Sequence, residues 1–186
     1  MKYSAQAVVL FALFTLLGSQ VTASYMPKTD SIEWLYRAIS NGDKEKHIPI
    51  MLERCREHDY GWLNQTHGHT HTPLTLAAAC CDHNAAPDVV DNYSNIVKTL
   101  LRYGALPSVA NKNGDTPLHL VRHHTIARIL FTEKAYLDIN ALNNSGQTPL
   151  DVALSFKAER LAVTLFLESV GAKTADKLPG KGCIIS

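Results

Sequence analysis

The chain has 186 residues, which is room for one domain, and its 18 basic residues nearly balance 17 acidic ones. This balance argues against a protein that binds nucleic acid by bulk electrostatic attraction, so no nucleic-acid partner is expected. Four cysteines in a chain of this length do not make a disulfide scaffold.

The N-terminal segment has the pattern of a secretory signal peptide. A short apolar run from Ala5 to Leu17 follows the single charge of Lys2. The run is short for a membrane span, which needs about 20 residues. Val21-Thr22-Ala23 has small residues at its first and third positions, the pattern that a signal peptidase recognises before its cleavage site. We predict a cleaved signal peptide over residues 1–23 and a short tether over 24–30; a retained signal anchor and a buried core helix are the alternatives.

One pattern, a turn followed directly by the start of a helix, occurs three times in the sequence. Asn113-Gly114-Asp115-Thr116-Pro117-Leu118-His119 joins a glycine turn to a threonine N-cap, with proline at the first helical position. Ser145-Gly146-Gln147-Thr148-Pro149-Leu150 repeats the pattern 32 residues later, and His71-Thr72-Pro73-Leu74 precedes it by 44 residues. Recurrence at this spacing predicts a repeat fold.

These motifs resemble the ankyrin repeat family. Thr116-Pro117-Leu118-His119 matches the signature of the inner helix, and Leu100-Leu101-Arg102-Tyr103-Gly104-Ala105 matches the end of the outer helix. Gly104 lies 12 residues before Thr116, as the family frame requires. The resemblance covers about residues 31–173 and implies an all-α ankyrin-repeat solenoid of about four turn-helix-helix units. The first unit would be a diverged N-terminal capping repeat, because one of its faces meets water.

We place the four repeats at about residues 31–66, 67–109, 110–142 and 143–173, followed by a flexible tail over 174–186. In the second repeat, the inner helix is predicted from Pro73 to Cys81 and the outer helix from Tyr93 to Arg102. An insertion from Asp82 to Asn92 would bulge between them and account for the longer spacing. The inner helix of the third repeat is predicted to be short.

The resemblance implies a monomeric, non-enzymatic module without a cofactor, which binds an unidentified protein through the concave face of its stack. Arg122 and His123 would project from the inner helix of the third repeat, between two fingertips. The predicted binding surface consists of Lys112, Asn113, Asp115, Arg122, His123, Asn144, Ser145 and Gln147. The alternative for each of these residues is a solvated turn position without a partner. His119 is expected to hydrogen-bond within its turn rather than to act as a catalytic base.

The second repeat carries five residues of types that bind zinc, namely His67, His69, His71, Cys80 and Cys81. Their spacing fits no standard ligand pattern, so we predict no metal site. The histidines would lie on a finger, and the cysteines would be buried free thiols rather than disulfide partners of Cys55. A periplasmic metal-binding or redox-protective protein is the alternative function that this cluster would support.

The C-terminal Cys183-Ile184-Ile185-Ser186 has the form of a prenylation signal, and terminal serine favours farnesyl. This signal conflicts with the N-terminus, because prenylation enzymes are cytosolic. We predict a protein exported from a bacterium, secreted or periplasmic. The alternative is a host-directed effector, farnesylated at Cys183 and held on a host membrane, because the layout is similar to that of bacterial ankyrin effectors.

Overall fold

The computed structural model describes residues 28–42, 47–55, 60–66, 68–132 and 137–179. The predicted signal peptide, the first part of the tether and Cys183 lie outside the described residues. Within the described ranges the chain forms eight α-helices and three short 3-10 turns. The α-helices are α1 Lys28–Ser40, α2 His47–Cys55, α3 Pro73–Cys80, α4 Pro87–Arg102, α5 Pro117–Leu120, α6 His124–Thr132, α7 Pro149–Ser155 and α8 Leu161–Ser169. The 3-10 turns are Tyr60–Asn64, Lys157–Arg160 and Ala175–Lys177.

The helices stack in two rows. The inner helices α1, α3, α5 and α7 pack side by side, and the outer helices α2, α4, α6 and α8 form a second row against them. Leu74, Leu118 and Leu150 from successive inner helices join Leu100 and Ile126 from the outer row in one buried core. Each fully buried side chain of this kind contributes about 1.5–3 kcal/mol, which no helix pair could gain alone. The predicted all-α solenoid of turn-helix-helix units is confirmed.

Two helices begin earlier than the sequence pattern predicted. Helix α1 starts at Lys28 and therefore includes residues 28–30, which were predicted to belong to the tether. Helix α4 starts at Pro87, so half of the predicted insertion is helical and only a short loop separates α3 from α4. Proline occupies the first helical position there, after an extended Ala86, and Asp88 in the first turn favours a helix N-terminus.

The inner helix of the third repeat was predicted to be short, and it has four residues. Helix α5 ends at Leu120 because Val121 has an extended backbone, with φ −57° and ψ 132°. Arg122 and His123 therefore lie in the connection between α5 and α6. The prediction that these two residues project from the inner helix is wrong.

The beginning of the segment predicted as a flexible tail, and the residue just before it, are hydrogen-bonded to the fourth and third repeats, respectively. The backbone N–H of Ala175 donates to Asp151 Oδ2 at 3.0 Å, and that of Lys173 donates to Asn140 Oδ1 at 2.7 Å. The chain therefore remains on the stack at least as far as the turn Ala175–Lys177.

A candidate protein-binding groove

Two asparagines hold the fingertips of the third and fourth repeats in the same conformation. Asn111 Oδ1 accepts the N–H groups of Asn113 and Asp115 at 2.8 and 2.9 Å. Asn143 Oδ1 accepts those of Ser145 and Gln147, both at 3.0 Å. Sequence reasoning missed this role, although asparagine recurs at these two positions 32 residues apart. Each side chain satisfies two backbone donors and so fixes the exposed tip of its turn.

The fingertips are also bonded to each other. The N–H of Asn144 donates to the carbonyl of Asn113 at 3.0 Å, and Asn143 Nδ2 donates to Asp115 Oδ1 at 2.9 Å. One repeat earlier, the N–H of Lys112 donates to the carbonyl of Thr70 at 3.1 Å. The fingers therefore form a continuous rim along one edge of the inner helices.

A groove of about 400 Å³ lies between this rim and the inner helices of the last two repeats. It brings together five of the eight predicted surface residues, namely Asn113, Asp115, Asn144, Ser145 and Gln147. Leu120, Val152 and Phe156 form its apolar part, and Phe156 is 40% exposed. The groove therefore combines polar residues of the turns with three apolar side chains, one of which is exposed.

Arg160 also lines the groove, and sequence reasoning did not identify it. It is only 6% exposed, and its Nη1 donates to the carbonyl of His119 at 3.1 Å. Its guanidinium carbon lies 4.0 Å from the ring centroid of Phe156, within cation–π range. Burial and the charge of Arg122 lower the pKa of Arg160 to about 10, which leaves the side chain charged at neutral pH.

The other three predicted residues lie outside this groove. Lys112 Nζ donates to the carbonyl of Gly68 at 3.1 Å, on the preceding finger. Arg122 Nη1 lies 3.8 Å from Asp82 Oδ1, and both side chains are largely exposed. His123 Nδ1 accepts the N–H of Thr125 at 3.2 Å. None of the three residues lines the groove, and each contacts another residue of the second or third repeat.

His119 has the structural role that the sequence predicted. Its ring is fully buried, and Nδ1 accepts the backbone N–H of Thr116 at 3.1 Å. Nε2 then donates to the carbonyl of Gln147 at 3.0 Å, in the next finger. Nδ1 therefore fixes the start of α5 within the third repeat, and Nε2 joins the third repeat to the fourth.

The histidines and cysteines of the second repeat make structural contacts. His69 stacks on Tyr36 with the ring centroids 3.9 Å apart, and its Nε2 lies 3.2 Å from Glu33 Oε2. Cys80 and Cys81 are free, and burial raises the pKa of Cys81 to about 11, so its thiol is protonated at neutral pH. In the part of the chain that the structure describes, which does not include His67, no group of three or more potential ligands could hold a metal ion.

Three histidines make the stability depend on pH. Burial lowers the pKa of His119, His71 and His123 below the ordinary value of about 6.5, so the folded state holds their protons more weakly than the unfolded state. The stability gained from this difference is present above about pH 6.5 and is lost as the pH falls below it. We expect the free energy of unfolding to fall between pH 7 and pH 5, by at most about 1.4 kcal/mol per pH unit for each histidine.

Urea unfolding at a series of pH values measures this dependence. His119→Asn removes one of the three groups and should make the slope shallower. A free energy of unfolding that is constant or rises from pH 7 to pH 5 would contradict the expected loss.

Stacked helix pairs with short turns define a class of protein, the helical repeat solenoid, whose extended surfaces bind other molecules. Residues 83–177 match the family model described as ankyrin repeats in three copies. The chain belongs to the ankyrin repeat family.

Similar proteins share the repeats over part of their length. Rabankyrin-5 of Mus musculus is 32% identical over 94 residues, which are 49% of this chain and 8% of that protein. An ankyrin repeat protein of Rickettsia felis is 35% identical over 74 residues, which are 37% of this chain and 33% of that protein. The chain therefore spans a third or less of these two relatives.

The fold is also found among solved structures. The crystal structure of the ankyrin repeat domain of Bcl-3, a member of the IκB protein family, superposes with a TM-score of 0.59 at 24% sequence identity. The match covers 75% of this chain and 57% of that one. Ankyrin repeats form a scaffold for protein–protein interaction and are typically not enzymatic. Among the described residues, none of the helices combines the length and the hydrophobicity of a membrane span.

Proposed function

We propose that this protein binds a partner protein through the groove between its third and fourth repeats. The observation that carries the proposal is the groove itself, which is lined by Asn113, Asn144 and Ser145 of the rim together with the exposed Phe156. The hydrogen bonds between fingertips hold this rim in place before a partner arrives. A preformed surface loses less entropy on binding, and an exposed aromatic ring is a frequent anchor in protein interfaces.

Site-specific photocrosslinking tests this proposal. A benzoylphenylalanine residue at Ser145, which is exposed on the rim, should give a discrete covalent adduct in extract from the source organism. The same residue at Arg128, exposed on the outer helix α6, is the matched control and should give no such adduct. The same adduct from both positions, or from Arg128 alone, would place the partner on another surface.

We further propose that the chain is exported and binds its partner in a secreted or periplasmic location. The apolar run from Ala5 to Leu17 and the small residues before Ser24 support this proposal. The second candidate is an effector farnesylated at Cys183 and held on a host membrane, which Cys183-Ile184-Ile185-Ser186 favours.

Intact-mass analysis of the chain from its native setting distinguishes the two. Loss of residues 1–23 with an unmodified Cys183 is the result expected for the exported protein. A farnesyl adduct that disappears in Cys183→Ser would instead support the effector and exclude simple export.

A further inference from the structure

We propose that the groove between repeats three and four binds an aspartate or glutamate side chain of the partner, with Arg160 as the residue that pairs with its carboxylate. This inference rests on the proposed function, since it specifies the chemistry of a partner for the same groove. The occupant would be an acidic side chain beside an apolar one, because the cation lies next to the exposed ring of Phe156.

The charge of Arg160 is incompletely compensated inside the protein. Among the described residues no carboxylate forms an ion pair with it, and its one hydrogen bond goes to the carbonyl of His119. A guanidinium has five N–H donors, so most of its donors remain available. Arg160 lines the groove although it is only 6% exposed, so a carboxylate in the groove can reach the donors that the protein leaves unused and add a charge-assisted hydrogen bond.

The remaining charges of the groove favour a carboxylate over a phosphate. Asp115 stands on the same rim, and its Oδ1 is engaged by Asn143 Nδ2 at 2.9 Å. Its negative charge would repel a doubly charged phosphate more strongly than a singly charged carboxylate. The side-chain amides of Asn113 and Gln147 on the rim can donate hydrogen bonds to the carboxylate oxygens.

The test is a titration of the full, ¹⁵N-labelled chain followed at the side-chain Nε–Hε signal of Arg160, which is assigned by its loss in Arg160→Lys. The probes are N-acetylaspartate α-methylamide and its asparagine counterpart. We expect the aspartate probe to shift the signal saturably and to bind at least about tenfold more tightly than the asparagine probe, because a charged acceptor strengthens the hydrogen bond. Equal binding of the two probes, no shift with either, or tighter binding of inorganic phosphate would overturn the proposal.

The photocrosslink at Ser145 separates this inference from the proposed function. Arg160→Met keeps an apolar stem against Phe156 but removes the charge, and it should reduce the adduct at least about tenfold. Arg128→Met, on the outer helix, is the matched control and should leave the adduct unchanged. An adduct that is unaffected by Arg160→Met would overturn the role of Arg160 and leave the groove as the binding surface. If Arg160→Met does not fold, the titration of the natural chain decides.

Discussion

Replacing Gly114 with alanine is expected to lower the free energy of unfolding by about 3 kcal/mol. Gly114 has φ +77°, in the left-handed region that disfavours a side chain. A Cβ built there would lie 2.7 Å from the backbone nitrogen of Asn144 and 2.5 Å from its Oδ1. The fingertip of the fourth repeat would have to move, and the bond from Asn144 to the carbonyl of Asn113 would be strained.

Gly68→Ala provides the control for Gly114→Ala. Gly68 has φ +88° in the preceding finger, but a Cβ there would meet no atom of the described residues within 4 Å. We expect a loss of about 1 kcal/mol, from backbone strain alone. Thermal or urea unfolding of both variants measures the difference. Equal losses would mean that the contact between fingertips contributes nothing to stability.

Replacing His119 with alanine is expected to lower the free energy of unfolding by about 3 kcal/mol as well. The fully buried ring accepts from Thr116 and donates to Gln147, so its removal leaves polar groups without partners and opens a cavity. The loss should appear as a lower urea midpoint, because the variant loosens the joint between the third and fourth repeats.

Comparing His119→Asn with His119→Ala separates the contribution that the hydrogen bonds of the ring make to stability from the contribution of its volume. At the equivalent position of the fourth repeat, the carboxylate of Asp151 accepts both the N–H and the hydroxyl of Thr148 at 2.9 Å. An asparagine amide oxygen at residue 119 can copy this contact with Thr116 without introducing a buried charge. His119→Asn should therefore be less destabilising than His119→Ala, and an equal loss in both would show that the cap contributes little.

The repeat architecture could be predicted from the sequence because its determinants are local. Each Thr-Pro-Leu start contains its own N-cap and its own proline at the first helical position, and a glycine lies two to four residues before the threonine. The start of α4 shares only the proline at the first helical position, because its N-cap is Ala86, which has no capping side chain. It was missed because the sequence from Asp82 to Asn92 was interpreted as a loop from its composition and its extra length.

The candidate site could be predicted only in part. Its rim lies on recurring turns, so Asn113, Asn144 and Ser145 could be identified by position. Arg160 could not, because it reaches the groove through the packing of two repeats. Its bond to His119 joins residues 41 positions apart, and no local pattern distinguishes a buried arginine from the exposed charges beside it. Arg122 and His123 were misplaced because the exact end of a four-residue helix decides whether they belong to it.

The short helix α5 affects the cooperativity with which the stack folds and unfolds. Helices pack on those of adjacent repeats, so a solenoid behaves as a linear series in which each unit stabilises its neighbours. The third repeat is the internal unit with the least inner-helix surface, yet it transmits stability between the first two repeats and the fourth. His119 and the bonds between fingertips are therefore the coupling elements of this series. Weakening them should allow the fourth repeat to unfold while the first two remain folded.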